Sequence, residues 1–202
     1  MSAAVIIDSG GANIASLRAA LSRLGAESVV STDHAVIRQA PRVLLPGVGS
    51  AHDAMARLRI AGLDQLIPQL KQPLLGICLG MQLLFERSEE GPANCLGVIP
   101  GAIGKLQSVP GLPVPHMGWN QMTQVRPDPL LDGISSIDYV YFVHSFAAPT
   151  SIATVAITDY GVPITAVARR DNFCGTQFHP ERSGLIGSRI LANFLKAAPG
   201  KS

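Results

Sequence analysis

Aromatic residues are scarce in this 202-residue chain, 5% against 47% hydrophobic residues overall. Its core must therefore be mainly aliphatic, as in layered α/β proteins, and the chain is long enough to bury a large one. Charge is sparse as well: 15% of residues are charged, the formal net charge is +2, and no Lys/Arg run forms a phosphate-binding stripe. Nucleic acid is not indicated as a partner. No apolar run reaches membrane-spanning length, and Met1-Ser2-Ala3-Ala4 leads into an apolar strand without a basic signal-type segment, so neither a membrane nor export is expected. Cys78, Cys95 and Cys174 are odd in number, far apart and form no C-x-x-C pair. That argues against a disulfide framework and a zinc site, and the free thiols suit a reducing cytoplasm. No metal and no cofactor are expected, because no His or Cys pair has ligand spacing on a common element. Repeats, low-complexity segments and linkers are missing too, which leaves a single domain over residues 1–202.

What the chain does have is Pro73-Leu74-Leu75-Gly76-Ile77-Cys78-Leu79-Gly80-Met81-Gln82-Leu83-Leu84-Phe85. A buried-strand run meets Gly-x-Cys-x-Gly and continues as Met-Gln-Leu-Leu-Phe, which suits a helix. Glycines two residues either side of a reactive side chain are what a sharp strand-to-helix turn needs. A Cys lifted on that turn sits at a helix N-terminus, where free N–H groups favour a thiolate. The alternative is a buried structural Cys.

Residues 4–8 read as the first strand, followed by a turn at Ser9-Gly10-Gly11-Ala12-Asn13. The next helix carries Ile14, Leu17, Leu21 and Leu24 on one face and Gly25 at C′. The Gly-rich turn does not spell G-x-G-x-x-G, and no acidic residue is placed for a ribose, so a dinucleotide is not expected. Val29-Val30 belongs to a second strand. Residues 42–45 form a third, ending at Pro46-Gly47-Val48-Gly49-Ser50. Ser50 can cap a helix whose apolar face is Ala51, Ala54, Met55 and Leu58, with Asp53 completing a box-like pair. In a parallel sheet this loop and the Cys78 turn leave the same carboxyl edge, so their backbone N–H groups can converge on one oxygen. A plain tight turn is the alternative.

Residues 87–92 read as a solvated exit loop. Short runs broken by Gly and Pro from 96 to 125 suggest irregular or antiparallel strands at one side of the sheet. Among them, Pro115-His116-Met117-Gly118-Trp119-Asn120 carries the only Trp, which belongs in the core or, if exposed, marks an interface. Strands follow at 138–146, 152–157 and 164–168, the last two joined through Tyr160-Gly161. The last, 173–178, delivers His179-Pro180-Glu181. A final helix buries Ile186, Ile190, Leu191, Phe194 and Leu195, and the tail from Ala197 to Ser202 frays.

His179 and Glu181 lie two apart at a strand end, where an extended backbone sends both side chains to one face and Pro180 stiffens the geometry. A carboxylate on one ring nitrogen sets the tautomer so that the other can take a proton from Cys78. His34, His52 and His116 are poorer candidates, in segments of mixed polarity or outside the parallel core. His144 ends a strand, where it lines the site or is a satisfied core residue.

Gly76-Ile77-Cys78-Leu79-Gly80-Met81-Gln82 and Gln177-Phe178-His179-Pro180-Glu181 together resemble the class I, triad-type glutamine amidotransferases, and Pro46-Gly47-Val48-Gly49 resembles their oxyanion loop. His116-Met117-Gly118-Trp119-Asn120, Tyr141-Phe142-Val143-His144-Ser145 and His179-Pro180-Glu181-Arg182-Ser183-Gly184 resemble the branch of that family serving histidine biosynthesis. The resemblance implies an open, mostly parallel, flavodoxin-like sheet flanked by helices, with additional antiparallel strands. It implies a glutaminase in which Cys78 is the nucleophile, His179 the acid and base, and Glu181 its orienting carboxylate. Val48 and Leu79 would hold the oxyanion. Gly47, Gln82, His144, Ser145 and Phe146 would bind glutamine. Asn13, Trp119, Tyr141 and Arg182 would face a (β/α)8-barrel cyclase that forms a heterodimer with the chain and uses the ammonia to make imidazole glycerol phosphate. At 202 residues the chain is not expected to hold that second catalytic domain itself. Two departures stand out: the first turn usually reads Asp-Tyr-Gly-x-Gly-Asn, with Ser9 and Ala12 differing here, and Phe146 replaces a common Tyr.

Three other readings compete. The chain could be a glutaminase for a different synthase, such as one making anthranilate or pyridoxal phosphate, which the HMGWN segment disfavours. It could be a non-catalytic regulatory subunit of the same fold, which the intact Cys78, His179 and Glu181 disfavour. A cysteine hydrolase acting on peptides or γ-glutamyl chains is the third, distinguished by whether free glutamine releases ammonia.

Overall fold

Four apolar runs, each too short for a helix and rich in Leu, Ile and Val, line up as four of the five parallel strands of the central sheet. The computed structural model describes residues 4–10 and 13–196; Met1-Ser2-Ala3, Gly11 and Ala12 of the first turn, and the tail from Ala197 to Ser202 lie outside the described residues. Strand β1 (Ala4–Ile7) is wholly buried and pairs in parallel with β2 (Ser28–Ser31) and β3 (Val43–Gly47). Helix α1 (Ile14–Arg23) between β1 and β2 closes with Gly25 and Ala26 N–H groups on the Ser22 and Leu21 carbonyls, a Schellman end. Helix α2 (His34–Gln39) leads to β3, and α3 (Ala51–Ile60), capped by Ser50, packs Ala51, Ala54, Met55 and Leu58 inward. The Asp53 carboxylate takes the Ser50 hydroxyl at 2.8 Å. After α4 (Leu63–Leu66), β4 (Leu74–Cys78) returns beside β3.

The chain then departs from its sequence pattern. Helix α5 (Leu79–Gln82) lasts one turn, and Phe85 opens β5 (Phe85–Ser88) instead of extending the helix. Of the expected exit loop at 87–92, Arg87 and Ser88 are instead strand, with Ser88 buried, and 89–92 are turn. Strands β6 (Ala93–Asn94) and β7 (Ile99–Lys105) join β5 in a small sheet. Strand β8 (His116–Gln121) pairs with β10 (Tyr139–His144) as a separate ribbon, so of the 96–125 segment only β9 (Thr123–Gln124) reaches the central sheet. Asp138 and Ser145 lie outside β10, and Phe146 starts β11 (Phe146–Ala147), the edge of the small sheet.

Strand β12 (Thr154–Asp159) begins later than the apolar run suggested. Ile152 is 94% exposed because the Ser151 and Thr154 hydroxyls hold a turn there. A hairpin at Tyr160-Gly161 leads to β13 (Pro163–Arg170), then β14 (Phe173–Thr176), which stops short of Gln177 and Phe178. Helix α6 (Gly184–Lys196) buries Ile190, Leu191 and Phe194, while Ile186 and Leu195 are only partly covered. The central sheet runs β2-β1-β3-β4-β14-β13-β12-β9, parallel through β14 and antiparallel beyond it, with aliphatic clusters on both faces.

Candidate active site

The β3, β4 and β14 ends converge at one rim. Gly47 pairs with Cys78 across β3 and β4, and Thr176 pairs with Ile77 across β14 and β4. Parallel pairing thus closes a gap of about a hundred residues, setting the segment after β14 beside the end of β4, where ligands bind in open α/β sheets.

Cys78 sits at φ 54, ψ −112, a strained conformation for a non-glycine residue and the mark of a nucleophile turn. The turn is pressed so tightly onto β3 that a Cβ on Gly80 would lie 1.7 Å from the Leu45 carbonyl oxygen. The Cys78 side chain is nearly buried, and its sulfur has the Val143 carbonyl oxygen at 3.8 Å and Gln177 Nε2 at 3.9 Å. The His179 imidazole lies beside the sulfur, close enough for the sulfur to perturb the ring's charge. With α5 only one turn long, any dipole favouring a thiolate is that of a few free N–H groups rather than of a full helix.

His179 Nδ1 lies 2.8 Å from Glu181 Oε1, and both side chains are under a tenth exposed. The expected route to that contact is corrected: Glu181 reaches back from a 3-10 turn, Pro180–Arg182, and not along an extended strand. The turn is braced by the Ser183 hydroxyl, which donates to the His179 carbonyl at 2.7 Å and accepts from the Tyr141 N–H at 2.9 Å. Burial pulls the His179 pKa down, but hydrogen bonds and charge from Cys78 and Glu181 outweigh it and lift the value to about 10. The ring therefore carries a proton at neutral pH, ready to give to a leaving group.

These groups open into a pocket of about 390 Å³ lined by Val48, Leu79, Gln82, His144, Ser145 and Phe146 together with Cys78 and His179. Gly47 lies beneath, in the sheet, and does not line it. Gln82 Nε2 donates to the Phe146 carbonyl at 2.7 Å and to Gln177 Oε1 at 3.0 Å. The first contact is made by the Phe146 main chain, which any side chain at the position would leave in place. The Ser9 departure has a local role too: its buried hydroxyl donates to the Pro46 carbonyl at 2.7 Å, tying the first turn to the loop before Val48.

Trp119 is 56% exposed, so the lone Trp is not a core residue. Its ring meets Tyr141 edge-on at 5.9 Å, and the Arg182 guanidinium lies 4.8 Å over the Tyr141 ring. Asn13, the half-buried N-cap residue of α1, stands outside this stack.

Three residues of the site escaped sequence reading. Gln177 is fully buried and bridges Gln82 to Cys78; its only signal was its place beside Phe178-His179. Glu90 was read as solvated, yet it lines the pocket and accepts from Ala51 N–H at 3.3 Å, and burial raises its pKa against that hydrogen bond. His116 was set aside, but it is buried against His144 with Nδ1 3.0 Å from His144 Nε2. Among the described residues, no group of His, Cys, Asp or Glu could hold a metal ion, and no helix is long and apolar enough to cross a membrane.

Residues 5–198 match the family model Glutamine amidotransferase class-I. The chain is 53% identical over 191 residues to imidazole glycerol phosphate synthase subunit HisH of Xanthomonas campestris pv. campestris, covering 95% of this chain and 96% of that one. It is 50% identical to the protein of the same name from Xylella fastidiosa, covering 97% and 98%. Among solved structures, it resembles a glutamine amidotransferase with a TM-score of 0.74 at 17% identity, covering 96% and 98%. It also resembles PurLQS from Thermotoga maritima, with a TM-score of 0.71 at 21% identity, covering 95% and 96%.

Proposed function

The chain belongs to the class I glutamine amidotransferases and, within them, to the HisH subunits of imidazole glycerol phosphate synthase, and from that premise we propose how its residues divide the work. It is a glutaminase subunit in histidine biosynthesis. As one domain, it hydrolyses glutamine to glutamate and ammonia. The observation that carries the assignment of roles is the line Cys78–His179–Glu181 at the rim of the sheet, with Nδ1 to Oε1 at 2.8 Å, opening onto a pocket that suits one amino acid.

Cys78 as thiolate attacks the side-chain carbonyl carbon of glutamine. The oxyanion rests on the Val48 and Leu79 N–H groups, each worth about 3 kcal/mol in the transition state. His179 gives its proton to the departing nitrogen, ammonia leaves, and a γ-glutamyl thioester remains. His179 then takes a proton from water, which attacks the thioester; glutamate leaves and the thiolate is restored. Glu181 keeps the imidazole in one tautomer and balances its charge throughout. Gln82, His144, Ser145 and Phe146 hold the amino-acid part of glutamine, with Gly47 behind them in the sheet, and the Glu90 carboxylate complements its ammonium group.

The ammonia passes to a (β/α)8-barrel cyclase, which seats on the face carrying Asn13, Trp119, Tyr141 and Arg182, in the cytoplasm. An exposed Trp–Tyr–Arg stack is a residue set that interfaces favour. Glutaminase activity is low in the isolated chain, with Val48 poorly oriented until the barrel and its ligand bind. Glutamate release should therefore rise when the cyclase and its nucleotide ligand are added. Unchanged turnover on addition would overturn the coupling.

A further inference from the structure

His116 and His144 form a buried pair whose hydrogen bonds run in one direction only. His144 Nδ1 lies 2.9 Å from the Phe146 carbonyl oxygen, and a carbonyl can only accept, so the proton is on Nδ1. Burial pushes His144 down to about 3, helped by the neighbouring His116, and pushes His116 down to about 4. Both rings are neutral at physiological pH, each with one proton and one lone pair. His144 Nε2 is thus an acceptor, and His116 Nδ1–H must donate to it across 3.0 Å. The bare Nε2 of His116 then faces Asn120 Nδ2 at 3.4 Å. The Asn120 amide is itself fixed, because its oxygen accepts the Gln121 N–H at 2.8 Å and its nitrogen donates to the Asp159 carbonyl at 3.0 Å. Both ends of the chain are main-chain groups that cannot exchange donor for acceptor, so its polarity has no alternative.

The Phe146 carbonyl that receives the His144 proton is the one that receives Gln82 Nε2 at 2.7 Å. The reverse amide orientation would set two oxygens against each other at that distance. With its second N–H spent on Gln177 Oε1, Gln82 has only its own oxygen left to offer the pocket. We propose that His116 is a positioning residue for the glutaminase reaction: through His144 and the Phe146 carbonyl it fixes Gln82 with its oxygen turned to glutamine. The proposal rests on the glutaminase reading above. His116 does not touch substrate; its ring is stacked between Phe142 at 4.7 Å and Tyr160 at 3.9 Å.

That stacking supplies a clean test. His116→Phe keeps the ring and its stacking but removes both nitrogens, whereas His116→Asn keeps an amide N–H near the Nδ1 position. In the complex with the cyclase, His116→Phe should raise KM for glutamine about ten-fold, the loss of one directed hydrogen bond, with kcat changed about three-fold or less. His116→Asn should recover most of that KM. A His116→Phe complex that keeps the wild-type KM, or an Asn variant that recovers none of the loss, would overturn the positioning role. Independently of kinetics, the wild-type chain's imidazole 15N spectrum should show both rings protonated on Nδ1 and bare on Nε2. Either ring in the opposite tautomer overturns the proposal. Absence of glutamine turnover in the wild-type complex would overturn the glutaminase reading and this proposal with it; turnover with an unmoved KM in His116→Phe overturns this proposal alone.

Discussion

Replacing Glu181 by Gln keeps the side-chain shape and removes its charge, which isolates what the carboxylate does for His179. In the native site Oε1 takes the Nδ1 proton at 2.8 Å, and Oε2 is buried without a hydrogen-bond partner among the described residues. A glutamine there has two choices. If its oxygen faces Nδ1, the ring keeps its tautomer, but the imidazolium loses its counter-charge. A buried charge-assisted hydrogen bond contributes up to about 3 kcal/mol, a rate factor on the order of 100. If its nitrogen faces Nδ1, that ring nitrogen must be bare and the one remaining proton sits on Nε2. The ring can then neither hold the imidazolium nor take the proton from water, and the loss approaches the roughly 10,000-fold of a wrong triad tautomer. Glu181→Gln should therefore lower kcat by about 100- to 10,000-fold. The pH profile should move as well. His179 is held up at about 10, against burial, by Cys78 and Glu181 together, so it loses its proton only as pH rises through that value. With one of the two supports gone, the alkaline limb shifts to lower pH. Glutamate release by the cyclase complex, followed across the alkaline range with thermal unfolding as a control, reads both effects. A kcat within about three-fold of wild type with an unmoved alkaline limb would refute the orienting role.

Gly80→Ala should be among the most damaging single-methyl additions, because its Cβ would fall 1.7 Å from the Leu45 carbonyl and the Cys78 turn would have to lift off β3. A loss of about 3 kcal/mol, or roughly 6–12 °C in Tm, is expected, and an unchanged melt would mean the turn is not seated as described. Acid stability should report the His116–His144 pair. Both values are depressed below the ordinary 6.5, so their contribution is present above that pH and is lost as pH falls toward about 4 and 3. Between pH 6.5 and 5.5 each ring should cost about 1 kcal/mol, which urea titration can resolve and His116→Phe should roughly halve. His179 works in the opposite sense, its contribution complete below 6.5 and fading as pH rises through about 10.

What the sequence revealed were features that short-range chain geometry controls. The glycines around Cys78 and the rigid His-Pro-Glu step are local constraints, and each is in the structure, although Glu181 arrives by a 3-10 turn. The helix after Cys78 is shorter than expected because residues 81–85, apolar but for Gln82, show no period and are compatible with helix or strand. Distant chain settles it: Leu83, Leu84 and Phe85 carbonyls take the N–H groups of Leu96, Ile99 and Gly97, which unwinds the helix after one turn. Glu90 departs from the surface-loop reading for a related reason, while Glu89 beside it is an exposed turn residue as expected. A pair of carboxylates reads as solvated, and Glu89 is, accepting the Lys105 N–H at 2.9 Å at the surface, whereas Glu90 is half-buried and faces the start of α3. No local pattern marks a carboxylate recruited by a backbone donor from another strand.

Histidine shows the limit most sharply, because one residue type takes two opposite electrical states within the same pocket. His179 and His144 are both buried at its wall, and burial alone would strip the proton from either. What separates them is the partner. His179 faces a sulfur and a carboxylate, which reward a positive ring; His144 faces a carbonyl and a second imidazole, which offer one acceptor and one donor and no counter-charge. The first can therefore shuttle a proton, and the second can only aim a hydrogen bond. Were both cationic, they would repel across the pocket and His144 could no longer accept from His116. The division of labour rests on that contrast, and each histidine combines a near partner, Glu181 or the Phe146 carbonyl, with one far away in sequence, Cys78 for the first and His116 for the second.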